Sequence, residues 1–101
     1  MRVLVADRLS EDALDEMRDL GVEVEYEPRI AGSELPGRLE GVNVLVVRGT
    51  EVTADALAAG KSLNLVIRAG AGTRNIDVAF ASERGIYVAQ TPGRNAQAVA
   101  E

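Results

Sequence analysis

The sequence predicts an α/β domain in which a five-stranded parallel sheet lies between layers of helices. Three observations carry this reading. Short apolar runs alternate with helix-like segments from one end of the chain to the other, the pattern of a doubly wound sheet with crossover helices. Residues 3–6, 42–47 and 63–67 are nearly continuous in branched apolar side chains, as strands covered on both faces are. Residues 22–26 instead alternate apolar and charged, as an edge strand does.

Each element has its own local signal. Residues 3–6 form the first strand. Ser10 caps the helix after it, where Glu11 and Asp12 suit the positive N-terminal end. Ala13, Leu14, Met17 and Leu20 give that helix an apolar face, and Gly21 ends it. Residues 22–26 are the second strand. Residues 28–41 hold a short helix capped by Ser33. Pro36 falls in its first turn, where a missing N–H costs little, and Leu35 and Leu39 form its buried stripe. The third strand, residues 42–47, ends at Arg48. Thr53 caps a helix over residues 54–59, which Gly60 stops. The fourth strand, residues 63–67, is followed directly by Arg68 and then by a glycine-rich turn. Asp77 caps a helix over residues 78–84 that Gly85 closes. Residues 86–89 make the fifth strand, and residues 90–94 a loop with Pro92 and Gly93. Asn95 caps a last helix that reaches Glu101 without a stop signal, as expected of a fragment of a longer chain. For five strands the flavodoxin-like order 2-1-3-4-5 sets the half-polar strand at an edge, within three αβα layers.

Composition narrows the function. A chain of 101 residues is one small domain, and 47% hydrophobic with 27% charged residues is ordinary globular composition. A formal net charge of −5 argues against a nucleic-acid partner. The chain has no cysteine, hence no disulfide framework and no thiolate metal site. It has no histidine, which removes the commonest general base and the commonest metal ligand. No run approaches the roughly 18 apolar residues of a membrane span, and the N-terminus reads as strand then helix, so the expectation is a cytoplasmic protein.

The chemistry concentrates after the third and fourth strands. In the predicted order these strands are neighbours, so Arg48 and Arg68 emerge side by side at one edge of the sheet. Arginine suits forked recognition of carboxylate or phosphate. Gly70, Ala71 and Gly72 lie beside them, and successive N–H groups of such a turn converge on an anion. Open α/β sheets bind ligands beyond the carboxyl ends of their strands. The bland alternative makes each arginine a solvated strand end paired with a nearby acid. A dinucleotide site is disfavoured: Asn75 stands where the third glycine belongs, and Ala89 and Gln90 end the next strand where an acid would hold a ribose. A receiver-type signalling domain is disfavoured as well, because Arg48 stands where the phosphoacceptor aspartate would end strand 3, and Asp7 after strand 1 does not replace it. Asn95 reads equally as an N-cap and as a ligand-binding amide.

The segments VVRGTEVTADAL and LNLVIRAGAGTRNIDVAFASERGIYVAQTPGRNAQAVAE resemble the N-terminal part of the D-2-hydroxyacid dehydrogenases, most nearly the D-3-phosphoglycerate dehydrogenase branch. The resemblance is strong over residues 46–101 and looser before them, and its specificity lies in the combination of RAGAGTRNID, ERGI and TPGRNAQAVAE. It implies an NAD-dependent oxidoreductase of serine biosynthesis acting on a small 2-hydroxy or 2-oxo acid. It further implies a substrate-binding domain over residues 1–94, and over 95–101 the start of a crossover helix to an NAD-binding domain that this chain lacks. By the same resemblance Arg48 and Arg68 contact the acidic substrate. The loop of Ala71 and Gly72 holds its carboxylate through backbone amides near the nicotinamide, and Asn95 lines the same cleft. The family's catalytic histidine, its paired carboxylate, the catalytic arginine and the NAD fingerprint lie further along a full-length chain. The chain by itself is therefore expected to be inactive and monomeric, and its parent a homo-oligomer. Gly49 stands where a serine is common, Arg74 where an acidic or small residue is, and Gln90 where asparagine is. The missing hydroxyl at Gly49 weakens the choice of phosphoglycerate over other 2-hydroxy acids. The rival reading is a free-standing small-anion-binding module without catalysis.

Overall fold

The computed structural model describes residues 1–69 and 74–91. In chain order the elements are β1 (Arg2–Val5), α1 (Glu11–Asp19), β2 (Glu23–Tyr26), a 3-10 helix (Gly32–Arg38), β3 (Val44–Val47), α2 (Ala54–Ala59), β4 (Leu65–Ala69), α3 (Val78–Glu83) and β5 (Tyr87–Thr91). The strands form one sheet in the order β2-β1-β3-β4-β5, every pair parallel, as the alternation predicts.

Strand periodicity divides the core in two. Leu4, Leu45, Val47 and Val66 point to one face and pack against Leu35 and Leu39, Ala56 and Leu57 of α2, and Ala81 of α3. Val3, Val5, Val44, Val46 and Ile67 point to the other and meet Leu14 and Met17 of α1. Among the described residues three helices thus share one face and α1 alone covers the other. The fully buried leucines, Leu4, Leu35, Leu39, Leu45 and Leu57, all belong to the three-helix side. Each contributes about 1.5–3 kcal/mol, so that side carries most of the hydrophobic stabilisation.

The caps of α1, α2 and α3 are where the sequence puts them. Ser10 Oγ accepts from the Ala13 N–H at 3.2 Å, Thr53 Oγ1 from Ala56 at 3.3 Å, and Asp77 Oδ1 from Phe80 at 3.0 Å. Gly21 and Gly85 follow α1 and α3 at φ 84° and 74°, left-handed values that disfavour other residues.

Several boundaries differ from expectation. β4 starts at Leu65 and runs through Arg68 to Ala69, so Arg68 lies inside the strand rather than after it. β5 likewise takes in Gln90, expected in a loop. One cause serves both: the β4–β5 ladder continues through Arg68↔Gln90 and Ala69↔Thr91. β3 starts at Val44, two positions after Val42, because Asn43 is engaged differently. Its N–H donates to the Arg2 carbonyl at 2.9 Å and its Oδ1 accepts from the Arg2 N–H at 2.9 Å. The helix expected from Ser33 is a 3-10 turn with Ala31 at its N-cap, where Glu34 Oε1 accepts from the Ala31 N–H at 3.0 Å. Leu35 and Leu39 are its buried pair, as expected. Leu20 is 61% exposed instead of joining the apolar face of α1, because it follows the last helical residue as the C-cap. The expected helix after Asn95 lies outside the described residues.

Candidate functional site: a cleft at the carboxyl edge

Strand order reverses direction between β1 and β3, the neighbours from which the chain winds outward both ways. Open α/β sheets place ligands at such a switch point, beyond the carboxyl ends of the strands. There the molecule has a cleft of about 660 Å³. Asp7 after β1, the turn Arg48–Gly49–Thr50 after β3, and Arg68 of β4 form its floor. Ile30, Ala31 and Gly32, entering the 3-10 helix, form a wall. Gly32 is needed there, since a Cβ would stand 2.9 Å from the Glu51 carbonyl oxygen.

The two predicted arginines meet in this cleft. Val47 pairs with Arg68 in the β3–β4 ladder, which brings Arg48 and Arg68 together at the sheet edge. Arg68 Nε donates to the Arg48 carbonyl at 2.8 Å. The Arg48 side chain is exposed, and no described residue accepts a hydrogen bond from its guanidinium or forms an ion pair with it. Gly70, Ala71, Gly72 and Asn95 lie outside the described residues.

Two residues matter here that sequence reasoning passed over. Asp7 Oδ2 accepts from the N–H groups of Arg48, Gly49 and Thr50 at 3.0, 2.8 and 3.1 Å. Thr50 Oγ1 lies 3.0 Å from the same oxygen and 2.9 Å from the Ala6 carbonyl, sharing its one proton between them. Asp7 Oδ1 accepts from the Arg8 N–H at 2.9 Å. Partial burial pushes the Asp7 carboxyl up, but hydrogen bonds from the Arg8, Gly49, Arg48 and Thr50 amides outweigh it and hold the group below its ordinary 3.8. The sequence signal for it is an acid directly after a buried strand. The second residue is Asn75, read as the wrong residue for a dinucleotide turn. Its Nδ2 donates to the Thr50 carbonyl at 2.7 Å and the Arg48 carbonyl at 3.1 Å. That fixes the amide orientation, because only the NH2 end can serve two carbonyls. Asn75 Oδ1 is buried with no partner among the described residues.

The arrangement can bind a small anion. It offers one guanidinium without a partner among the described residues and a second held against the first residue's backbone, at a site whose own carboxylate is occupied by amides. Among the described residues no group of three or more acids could hold a metal ion.

Comparison with known proteins shows the family and the fold. Residues 3–101 match the model of the D-isomer specific 2-hydroxyacid dehydrogenase catalytic domain. The chain is 42% identical over 102 residues to the D-3-phosphoglycerate dehydrogenase of Archaeoglobus fulgidus, covering all of this chain and 19% of that protein. It is 45% identical over 104 residues to the hydroxypyruvate reductase of Thermotoga maritima, covering 99% of this chain and 33% of that one. A crystal structure from Pyrococcus horikoshii superposes with a TM-score of 0.85 at 30% identity, over 92% of this chain and 28% of that chain. The NAD+-bound 3-phosphoglycerate dehydrogenase of Entamoeba histolytica superposes with a TM-score of 0.82 at 27% identity, over 94% and 34%. The chain thus spans about a fifth to a third of the length of these relatives.

Proposed function

This chain belongs to the D-isomer specific 2-hydroxyacid dehydrogenase family, and from that premise we propose that it is the substrate-binding part of an NAD-dependent D-2-hydroxyacid oxidoreductase, with D-3-phosphoglycerate as the first substrate to test. Residues 1–94 are its substrate-binding domain and residues 95–101 the start of the connection to an NAD-binding domain. The observation that carries the reading is the exposed Arg48 guanidinium beside Arg68 at the switch point of the sheet. A 2-hydroxy acid has a carboxylate to place, and guanidinium forks recognise carboxylates through paired N–H groups. Gly70, Ala71, Gly72 and Asn95 complete the proposed site. Relatives named for phosphoglycerate and for hydroxypyruvate support a small, acidic, three-carbon ligand.

NAD enters the proposal as the cofactor of the full-length protein. The described residues of this chain do not fit it. Where a dinucleotide turn needs a third glycine for close packing, Asn75 stands with its amide bonded to the Arg48 and Thr50 carbonyls. β5 supplies no acid for a ribose. What this chain's residues contribute is binding and orientation of the acid.

The test is an NADH-absorbance assay on the full-length protein with D-3-phosphoglycerate, D-glycerate and D-lactate, and with hydroxypyruvate in reverse. Turnover with at least one of these pairs is expected. Arg68→Ala should raise KM by the equivalent of about 1.5–3 kcal/mol, the contribution of a charge-assisted hydrogen bond. The 101-residue chain alone should turn over none of them. Inactivity of the full-length protein toward every pair would refute the reading, as would activity of the short chain.

A further inference from the structure

The turn at residues 48–50 is bonded from beneath on nearly every polar group of its backbone. Its N–H groups all donate to one oxygen of Asp7. Its Arg48 and Thr50 carbonyls both accept from one nitrogen of Asn75, and the Arg48 carbonyl also accepts from Arg68 Nε. Three consecutive N–H groups converging in this way form a concavity that binds anions, and here the anion is internal. The turn's amides are therefore not available to a ligand. What the turn presents to the cleft is the side chain of Arg48, without a partner among the described residues, next to a glycine. Rigid backbone beneath an uncommitted charged side chain is the arrangement of a preorganised binding group.

Asn75 does a second job. Its carbonyl accepts from the Val52 N–H at 2.7 Å, and the Asp77 N–H donates to the Val52 carbonyl at 3.0 Å, so residues 75–77 are stitched to the chain just past the turn. Side chain and backbone of this one residue thus tie the segment before α3 to the position of Arg48.

We propose that Asp7 and Asn75 are positioning residues of the anion cleft: they clamp the 48–50 turn from its two sides so that the Arg48 guanidinium meets the ligand carboxylate in a fixed place beside Arg68. The proposal rests on the functional reading above. It has a directional consequence. Removing the Asp7 charge from an anion cleft should, by electrostatics alone, tighten anion binding. If Asp7 positions Arg48, the same change weakens it.

The experiment uses the full-length protein, with oxalate as the probe anion in calorimetric titration and the KM and kcat of the 2-hydroxy acid as a second readout. Arg48→Ala should abolish oxalate binding, which locates the probe. Asn75→Ala and Asp7→Asn should each weaken oxalate binding and raise the acid's KM by roughly 10- to 100-fold, the range found when partners that orient metal-binding side chains are removed. The KM for NADH should not move. A merely structural role would lower the melting temperature and leave these constants alone in the folded enzyme. If those variants fail to fold, Thr50→Val and Thr50→Ser decide: the first removes the hydroxyl at Asp7 Oδ2 and should weaken oxalate binding, and the second keeps it and should restore binding. Folded variants with wild-type oxalate affinity, tighter binding by Asp7→Asn, or equal behaviour of the two Thr50 variants would overturn the proposal. Arg48-dependent oxalate binding by a wild type that oxidises no 2-hydroxy acid would sink the functional reading alone and leave positioning to be decided by the variant affinities. A wild type that neither binds oxalate nor turns over any acid overturns both.

Discussion

A carboxylate in the floor of an anion cleft looks self-defeating until its bonds are traced. Asp7 directs its charge into backbone N–H groups, so the cleft meets a hydrogen-bonded carboxylate rather than a bare acid. The same bonds make Asp7 a pH-dependent contributor to stability. Its carboxyl titrates lower in the folded protein than in the unfolded chain. The unfolded state therefore binds the proton more readily, and stability must fall as pH falls. The contribution is fully present above the ordinary value of 3.8 and is lost as pH drops through the lower folded value. Melting temperatures of wild type and Asp7→Asn should accordingly differ by a constant amount at neutral pH and converge in acid below that ordinary value. A gap that stayed constant in strong acid would show that Asp7 is not the group titrating.

At the scale of elements, the segment with the weakest sequence signal is among the best anchored. The 3-10 helix has an alanine at its N-cap, with no side chain to accept from the first turn, and contains Pro36, yet Leu35 and Leu39 are both fully buried beneath α2. Burial, not propensity, holds it. Since its first residue, Gly32, and the two residues leading into it form a wall of the cleft, that anchoring also fixes the site. Leu35→Ala should cost about 2–5 kcal/mol in urea unfolding, the range for a fully buried leucine. A loss below about 1 kcal/mol would mean the segment collapses onto the cavity without penalty. The edge strand β2 shows a different economy. Arg2 and Arg38 bracket Glu25 at 2.7 and 2.9 Å, and Arg38 also reaches Glu27 at 3.2 Å. Such exposed pairs add little stability, but charge along an exposed edge opposes pairing with another chain.

Across the whole molecule, the two faces of the sheet are unequal. Among the described residues the face with three helices holds every fully buried leucine, whereas α1 alone covers the other. Among the described residues β2 pairs only with β1, while β3 and β4 are bonded on both sides. Local openings follow such differences in burial and pairing. Hydrogen exchange should therefore be slowest at the amides of Leu45, Val46, Val47 and Ile67, and faster by a separate opening in α1 and β2. Equal protection of β2 and β3 would contradict this division and imply that the sheet opens only as one unit.

The sequence alone determined the fold class, the strand order and the meeting of Arg48 with Arg68. These rest on local signals: side-chain period within strands, a capping side chain before each α-helix, and an arginine at the end of each central apolar run. Two parallel neighbours in register then bring their ends together without further information. The tertiary structure decided the rest. Strand ends moved because β4 and β5 extend one another's ladder, a gain neither segment shows alone. The roles of Asp7 and Asn75 were not legible either. Asp7 bonds the turn across 41 to 43 positions and Asn75 across 25 and 27, and hydrogen bonds at such separations leave no period, spacing or cap in the chain. They exist only because the sheet order sets the end of β1 beside that of β3 and returns the segment after β4 to the same place.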